Sequence, residues 1–142
     1  MATVRNLLEQ KDHSVHSIAP DEPVLAAIQL MADKGIGAVL VMRGNELAGI
    51  LSERDYARKV ILLGRSSAET PVWEIMSAPV TTVTPNDGVN TCMMLMTERK
   101  IRHLPVVDGG KVVGVLSIGD LVKHVIAEQE REIAQLQQYI AS

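Results

Sequence analysis

The stretch "GILSERD" at residues 49–55 returns as "GVLSIGD" at 114–120, each reading glycine, two aliphatic residues, serine, two variable positions and aspartate. The two copies start 114 − 49 = 65 residues apart, and self-similarity at a fixed offset exposes architecture before any local propensity does. At that offset residues 15–61 align with 80–126 without a gap, and fourteen of the paired positions are identical, among them Val24/Val89, Met31/Met96, Val41/Val106, Leu51/Leu116 and Val60/Val125. Lys34/Arg99 and Asp33/Glu98 are conservative pairs. The chain is a tandem duplication.

Each copy reads as strand, helix, strand, strand, helix. "HSIA" (16–19) and "VTTVT" (80–84) are short extended runs, followed by "PDEP" and "PNDG", where Asp21 and Glu22 or Asn86 and Asp87 are placed to cap a helix and complement its dipole. Val24, Ala27, Ile28 and Met31, and likewise Val89, Cys92, Met93 and Met96, recur at i, i+3, i+4, i+7, which makes one buried helical face. "GAVLVMRGNELAGILS" and "HLPVVDGGKVVGVLS" are hairpins turning at "RGN" and "DGG". Ser52 and Ser117 then open helices, the second much longer. Its extension carries Ile126, Ile133, Leu136 and Ile140 as an apolar stripe, suited to the chain's own N-terminal segment or to a second subunit. Trp73, the only tryptophan, lies in the linker and is expected to plug the junction between the repeats.

Bulk properties narrow the function. The chain has 142 residues, 46% hydrophobic but 2% aromatic, so the core must be aliphatic. A formal charge of −3, with acids and bases interspersed, offers no basic stripe to a phosphate backbone, and no aromatic platforms are available to stack bases. No run approaches the roughly eighteen apolar residues of a membrane span. The start "MATVRNLLEQKD" lacks a secretory apolar core. One cysteine excludes an internal disulfide. A cytoplasmic protein with no nucleic-acid or membrane partner is the expectation.

The repeated motif admits two compatible readings. Serine followed three residues later by an acid is close to a capping box, so Ser52 with Asp55 and Ser117 with Asp120 can simply start helices. Gly49 and Gly114, however, sit inside strands, where glycine costs stability and often marks close approach by a ligand or another backbone. A serine hydroxyl and free amides at a helix start suit an anion, and an aspartate one turn in can accept two ribose hydroxyls. Other tempting residues are weaker. His13 and His16 have metal-like spacing but no accompanying ligand cluster, so no metal is expected, and Cys92 on an apolar face is an ordinary core residue. No nucleophile has an identifiable base, and no phosphate loop is present, so no catalysis is expected.

The duplicated unit, its closing G-(hydrophobic)₂-S-x-x-D phrase and "IRHLPVVD" (101–108) together resemble a pair of cystathionine-β-synthase-type (CBS) domains, a Bateman module. The resemblance runs over about residues 10–127, and "SERDYARKVILLGRSS" with the long last helix is similar to the small stand-alone CBS-pair proteins. It implies an α+β fold of two β-α-β-β-α repeats packed with pseudo-twofold symmetry. The boundaries expected are an N-terminal segment 1–10, first repeat 11–64, linker 65–75, second repeat 76–127 and a helical extension 128–142. It also implies two clefts between the repeats that bind adenosine nucleotides. One would use Ser117 and Asp120 with Lys11, Asp12, Val15, Ser17, Ile36 and Gly37, and Arg102 and His103 on the phosphate. The other would use Ser52 and Asp55 with Ser77, Thr82 and Val83, and Arg54 or Arg58 on the phosphate. Gly37 and Ala38 stand where the second copy has Arg102 and His103, so the clefts are expected to differ. The implied function is an adenine-nucleotide-sensing regulatory module, a homodimer acting on a regulated protein. AMP is the first choice of ligand, with ADP, ATP, NAD and S-adenosylmethionine open and no cofactor required. The alternative is ligand-independent dimerisation or partner docking.

Overall fold

The protein is described from a computed structural model that covers residues 2–11 and 14–141. Asp12 and His13 therefore lie outside the described residues. In chain order the elements are α1 (Val4–Glu9), β1 (Ser17–Ile18), α2 (Val24–Lys34), β2 (Ala38–Arg43), β3 (Glu46–Ser52), α3 (Glu53–Tyr56) running into a π-helical turn (Ala57–Ile61), α4 (Val72–Ile75), α5 (Val89–Arg99), β4 (His103–Asp108), β5 (Lys111–Ser117) and α6 (Ile118–Ala141). They form two compact units. One is Ser14–Thr81, and the other joins Met1–His13 to Thr82–Ser142.

In the unit Ser14–Thr81, β1 pairs parallel with β2, and β2 pairs antiparallel with β3. The other unit repeats the hairpin as β4 and β5, with the ladder irregularity at the same place, Val41/Met42 in one and Val106/Val107 in the other. Gly44 and Gly109 turn the two hairpins at positive φ, +62° and +59°, which glycine adopts without a Cβ penalty.

The expected strand "VTTVT" is reduced to one parallel bridge, Val83 to Val106. Its register is that of Ile18 to Val41 in the first copy. There the Leu40 N–H also donates to the His16 carbonyl at 3.1 Å. The counterpart of Leu40 is Pro105, which has no N–H to give, so the second copy loses that rung. The helix expected from Glu53 onward is likewise not α-helical throughout. After Tyr56 the ladder lengthens by one residue, with the Leu62 N–H on the Ala57 carbonyl at 3.0 Å.

The acidic turns do not cap α2 and α5. Pro23 and Gly88 are the N-cap residues, and neither makes a side-chain cap. Backbone carbonyls from other segments take the free amides: Val24 N–H donates to Thr70 O at 2.8 Å, Leu25 N–H to Ser67 O at 3.0 Å, and Val89 N–H to Ala2 O at 3.2 Å. These bonds fasten the stretch before α4 to the first copy and the stretch before α1 to the second. The bridges Pro23–Pro71 and Thr3–Gly88 repeat the same attachment.

Each unit has its own aliphatic core. Val24, Met31, Val39, Val41, Leu51 and Val60 pack with Val72 and Ile75 of α4 in one, and Val89, Cys92, Met96, Leu104, Val106 and Leu116 pack with Val4, Leu7 and Leu8 of α1 in the other. Trp73, in the linker between the repeats, is 51% exposed, while its helix is anchored by Val72 and Ile75. Cys92 is the core residue its helical face implies, and burial, followed by the nearby Asp87 charge, pushes its thiol up to about 11. Native protein held with iodoacetamide at pH 8 should stay unlabelled and take one label after unfolding; rapid native labelling would mean that α5 opens readily.

Candidate functional site

The motif glycines explain themselves first. A Cβ on Gly49 would stand 2.5 Å from Met76 Sδ and 3.1 Å from the Ser77 carbonyl, and one on Gly114 would stand 2.7 Å from Leu8 Cδ2. The close approach expected at these glycines is made within each unit, by the segment after α4 in one and by α1 in the other.

At the serines, the capping box is real. Ser52 Oγ accepts the Asp55 N–H at 3.1 Å, and Asp55 Oδ2 accepts the Ser52 N–H at 3.0 Å. In the second copy the same two bonds measure 3.2 Å and 2.8 Å between Ser117 and Asp120. Both aspartates are thereby fixed one turn into a helix, with both carboxylates aimed back at its start.

Each carboxylate also meets a lysine, and the two lysines come from different places. Asp55 Oδ1 lies 3.1 Å from Lys59 Nζ and accepts the Ser77 hydroxyl at 3.1 Å. Lys59 donates onward to the Ile75 carbonyl at 3.0 Å. In the second copy the position of Lys59 is taken by His124, which is buried, with Nε2 3.7 Å from Glu128. The cation arrives instead from beyond α1: Lys11 Nζ is 2.7 Å from Asp120 Oδ2 and donates to the Val115 carbonyl at 2.6 Å. Burial alone would raise the Asp120 carboxyl. The Lys11 hydrogen bond, the Ser117 amide and the Lys11 charge outweigh it and hold the group below its ordinary 3.8.

The residues expected in the two clefts divide between the units. Lys11, Arg102, His103, Ser117 and Asp120 belong to one, with Lys11, Ser117 and Asp120 in direct contact. Arg102 is exposed, and its carbonyl accepts the Ile118 N–H at 2.9 Å. Gly37 does the same for Glu53 at 3.0 Å in the other copy. Ser52, Arg54, Asp55, Arg58 and Ser77 share the second unit with Val15, Ser17, Ile36 and Gly37. Ser77 is brought to Asp55 as expected, while Arg58 is exposed. Thr82 and Val83 belong with α1, and Val83 is a core residue, 2% exposed, which takes its side chain out of any binding surface. Ile36 and Gly37 line a pocket of about 580 Å³ with Ile28, Met31, Glu53 and Tyr56, an apolar floor edged by one carboxylate and one phenol. Sequence reasoning missed Lys59 as a partner of Asp55, although the i, i+4 spacing carries that signal.

Residues 4–61 and 72–127 each match the CBS domain family, so a repeat begins at α1 and another at α4. The chain belongs to the CBS domain family. Among solved structures, a protein with CBS domains from Burkholderia ambifaria is 53% identical, with a TM-score of 0.88 over 90% of this chain and 96% of that one. The mitochondrial CBS domain-containing protein CBSX3 of Arabidopsis thaliana is 38% identical over 97% of this chain and 71% of its own length. A CBS domain protein from Pyrobaculum aerophilum, solved with AMP, shares the fold at a TM-score of 0.74 and 24% identity, covering 84% of this chain and 89% of that one. CBS-pair proteins are regulatory and signal-transduction modules. Among the described residues no helix is long and apolar enough to cross a membrane, and no cluster of three or more metal-ligating side chains occurs.

Proposed function

We propose that this CBS pair senses an adenosine nucleotide, with AMP as first choice and ADP, ATP, NAD or S-adenosylmethionine as competitors for the same ribose acid. The reading extends to a non-catalytic, cytoplasmic homodimer that acts on a regulated protein. The observation that carries the reading is the repeated serine–aspartate pair, each carboxylate oriented by its helix start and paired with a lysine. Asp120, with a side chain 27% exposed, is an ionised acceptor at neutral pH, suited to vicinal ribose hydroxyls, and Lys11 beside it is suited to a phosphate. The AMP held by the Pyrobaculum aerophilum protein lends the ligand class further support.

Occupancy regulates only if the nucleotide binds one arrangement of the protein better than another. Calorimetric titration with each compound tests the reading, supported by thermal shift, where ligand at a hundred times its dissociation constant should add about 2.7 kcal/mol. Saturable binding of AMP or a rival is expected. No heat and no shift with any adenosine compound at millimolar concentration would leave partner docking without ligand control, a second reading that the exposed apolar residues of α6 favour.

A further inference from the structure

Past its contacts with the compact unit, α6 keeps a regular apolar seam in solvent. Val122, Ile126, Gln129, Ile133, Leu136 and Ile140 follow at alternating steps of four and three residues. The five apolar ones are 48%, 51%, 54%, 61% and 80% exposed. Leu121 and His124, the buried residues of α6, lie about 130° around the helix from this seam, counting 3.6 residues per turn. The face turned to the unit's own core and the seam are therefore different faces. From Ile126 to Ala141 every residue is exposed, so this part of the helix lacks the buried apolar face from which most helical stability in proteins comes. The N-terminal segment does not cover it, since α1 spends Val4, Leu7 and Leu8 on the core.

We propose that the α6 seam joins two copies of this chain in a parallel, in-register coiled coil in which Gln129 meets its own twin. This deepens the homodimer part of the reading above and is independent of the nucleotide. A step of 3.5 residues is the signature of two helices wound on each other, with Ile126, Ile133 and Ile140 at the a positions and Val122, Gln129 and Leu136 at d. Isoleucine at a with leucine at d favours two parallel strands. Gln129 fits the same geometry, because an amide facing an identical amide can donate and accept at once.

Charge separates the orientations. In a parallel pair Glu132 borders Gln137 of the second copy and Glu130 borders Val125, so no like charges meet. A fully overlapped antiparallel pair would set Gln129 against Ile133 and bring Glu130 near Glu130 and Glu132 near Glu132 across the axis. Both are penalised, one by an unsatisfied amide and the other by repulsion.

The test uses the full chain. Light scattering after size exclusion should give a dimer, and Ile133→Glu, far from the compact unit, should leave the circular dichroism and melting of that unit intact while raising the dimer dissociation constant at least a hundredfold. Gln129→Cys and Leu136→Cys should form covalent dimers on mild oxidation, and Arg131→Cys, on the outer face, should not. The native Cys92 is buried and stays silent in this assay. A monomeric wild-type chain would overturn both the homodimer and the seam. A dimer that survives Ile133→Glu, or that cross-links as readily at Arg131→Cys as at Gln129→Cys, would overturn the seam alone.

Discussion

Asp120→Asn should lower affinity for AMP at one of two sites by tenfold or more and leave the site built on Asp55 unchanged. Asparagine keeps the size of the side chain and an oxygen for the Ser117 amide, so the start of α6 survives. What it loses is the charge that strengthens hydrogen bonds from ribose hydroxyls, and charge-assisted bonds are worth about 1.5–3 kcal/mol. The same substitution has a pH signature. The folded carboxyl lies below 3.8, so its ionisation stabilises the fold at every pH above its ordinary range, and that contribution disappears as pH falls through the folded value. Because the Lys11–Asp120 pair is 29% and 27% exposed, screening keeps the effect to about 1 kcal/mol. The melting temperature of Asp120→Asn should thus trail wild type at pH 7 and converge with it at acid pH, once the folded carboxyl is protonated. An equal gap at both pH values would show that shape, not charge, matters at this position. Unchanged nucleotide affinity at both sites would reduce Asp120 to a helix cap.

Most of the fold was legible because the duplication supplied two readings of each element. Paired hydrophobic periodicities placed α2 with α5 and both hairpins, and the structure puts them where the 65-residue offset does. The offset also hid something. α1 and α4 are equivalents at a different spacing, 72 − 4 = 68 residues, visible as "VRNLL" (4–8) against "VWEIM" (72–76). Leu8 and Met76 then fill the same place, each against a motif glycine. A gapless comparison cannot register this pair, and the family match from Val4 and from Val72 does. The shortened strand before α5 had a readable cause in Pro105, whose missing N–H matters only once its partner is known. At the site, spacing alone could place Ser and Asp together. It could not foresee that Asp55 draws its lysine from its own helix while Asp120 draws one from a position more than a hundred residues away in the chain, since that follows from α1 packing on the second copy. The asymmetry expected from Arg102 and His103 is thus joined by a second one, in which cation serves each acid.

Leu51→Ala and Leu116→Ala should each cost about 2–5 kcal/mol, the range for truncating a fully buried leucine in a core that cannot collapse around the gap. Both side chains are 0% exposed, they are equivalents in the duplication, and they lie in separate aliphatic clusters. With only 2% aromatic residues, the chain has few large rings to shift into a vacated volume, which argues for the upper half of that range. A domain of ordinary stability holds about 5–15 kcal/mol in all, so either change should move the unfolding midpoint well clear of wild type. The location of the damage is readable as well. Trp73 belongs to the unit that contains Leu51, so in Leu51→Ala its fluorescence should change ahead of the far-ultraviolet circular dichroism as denaturant rises. In Leu116→Ala the order should reverse, because the long α6 belongs to the damaged unit and carries much of the helical signal. Coincident transitions in both variants would show that the two cores unfold together. A loss below about 1 kcal/mol in either would mean that the cluster relaxes around the missing side chain.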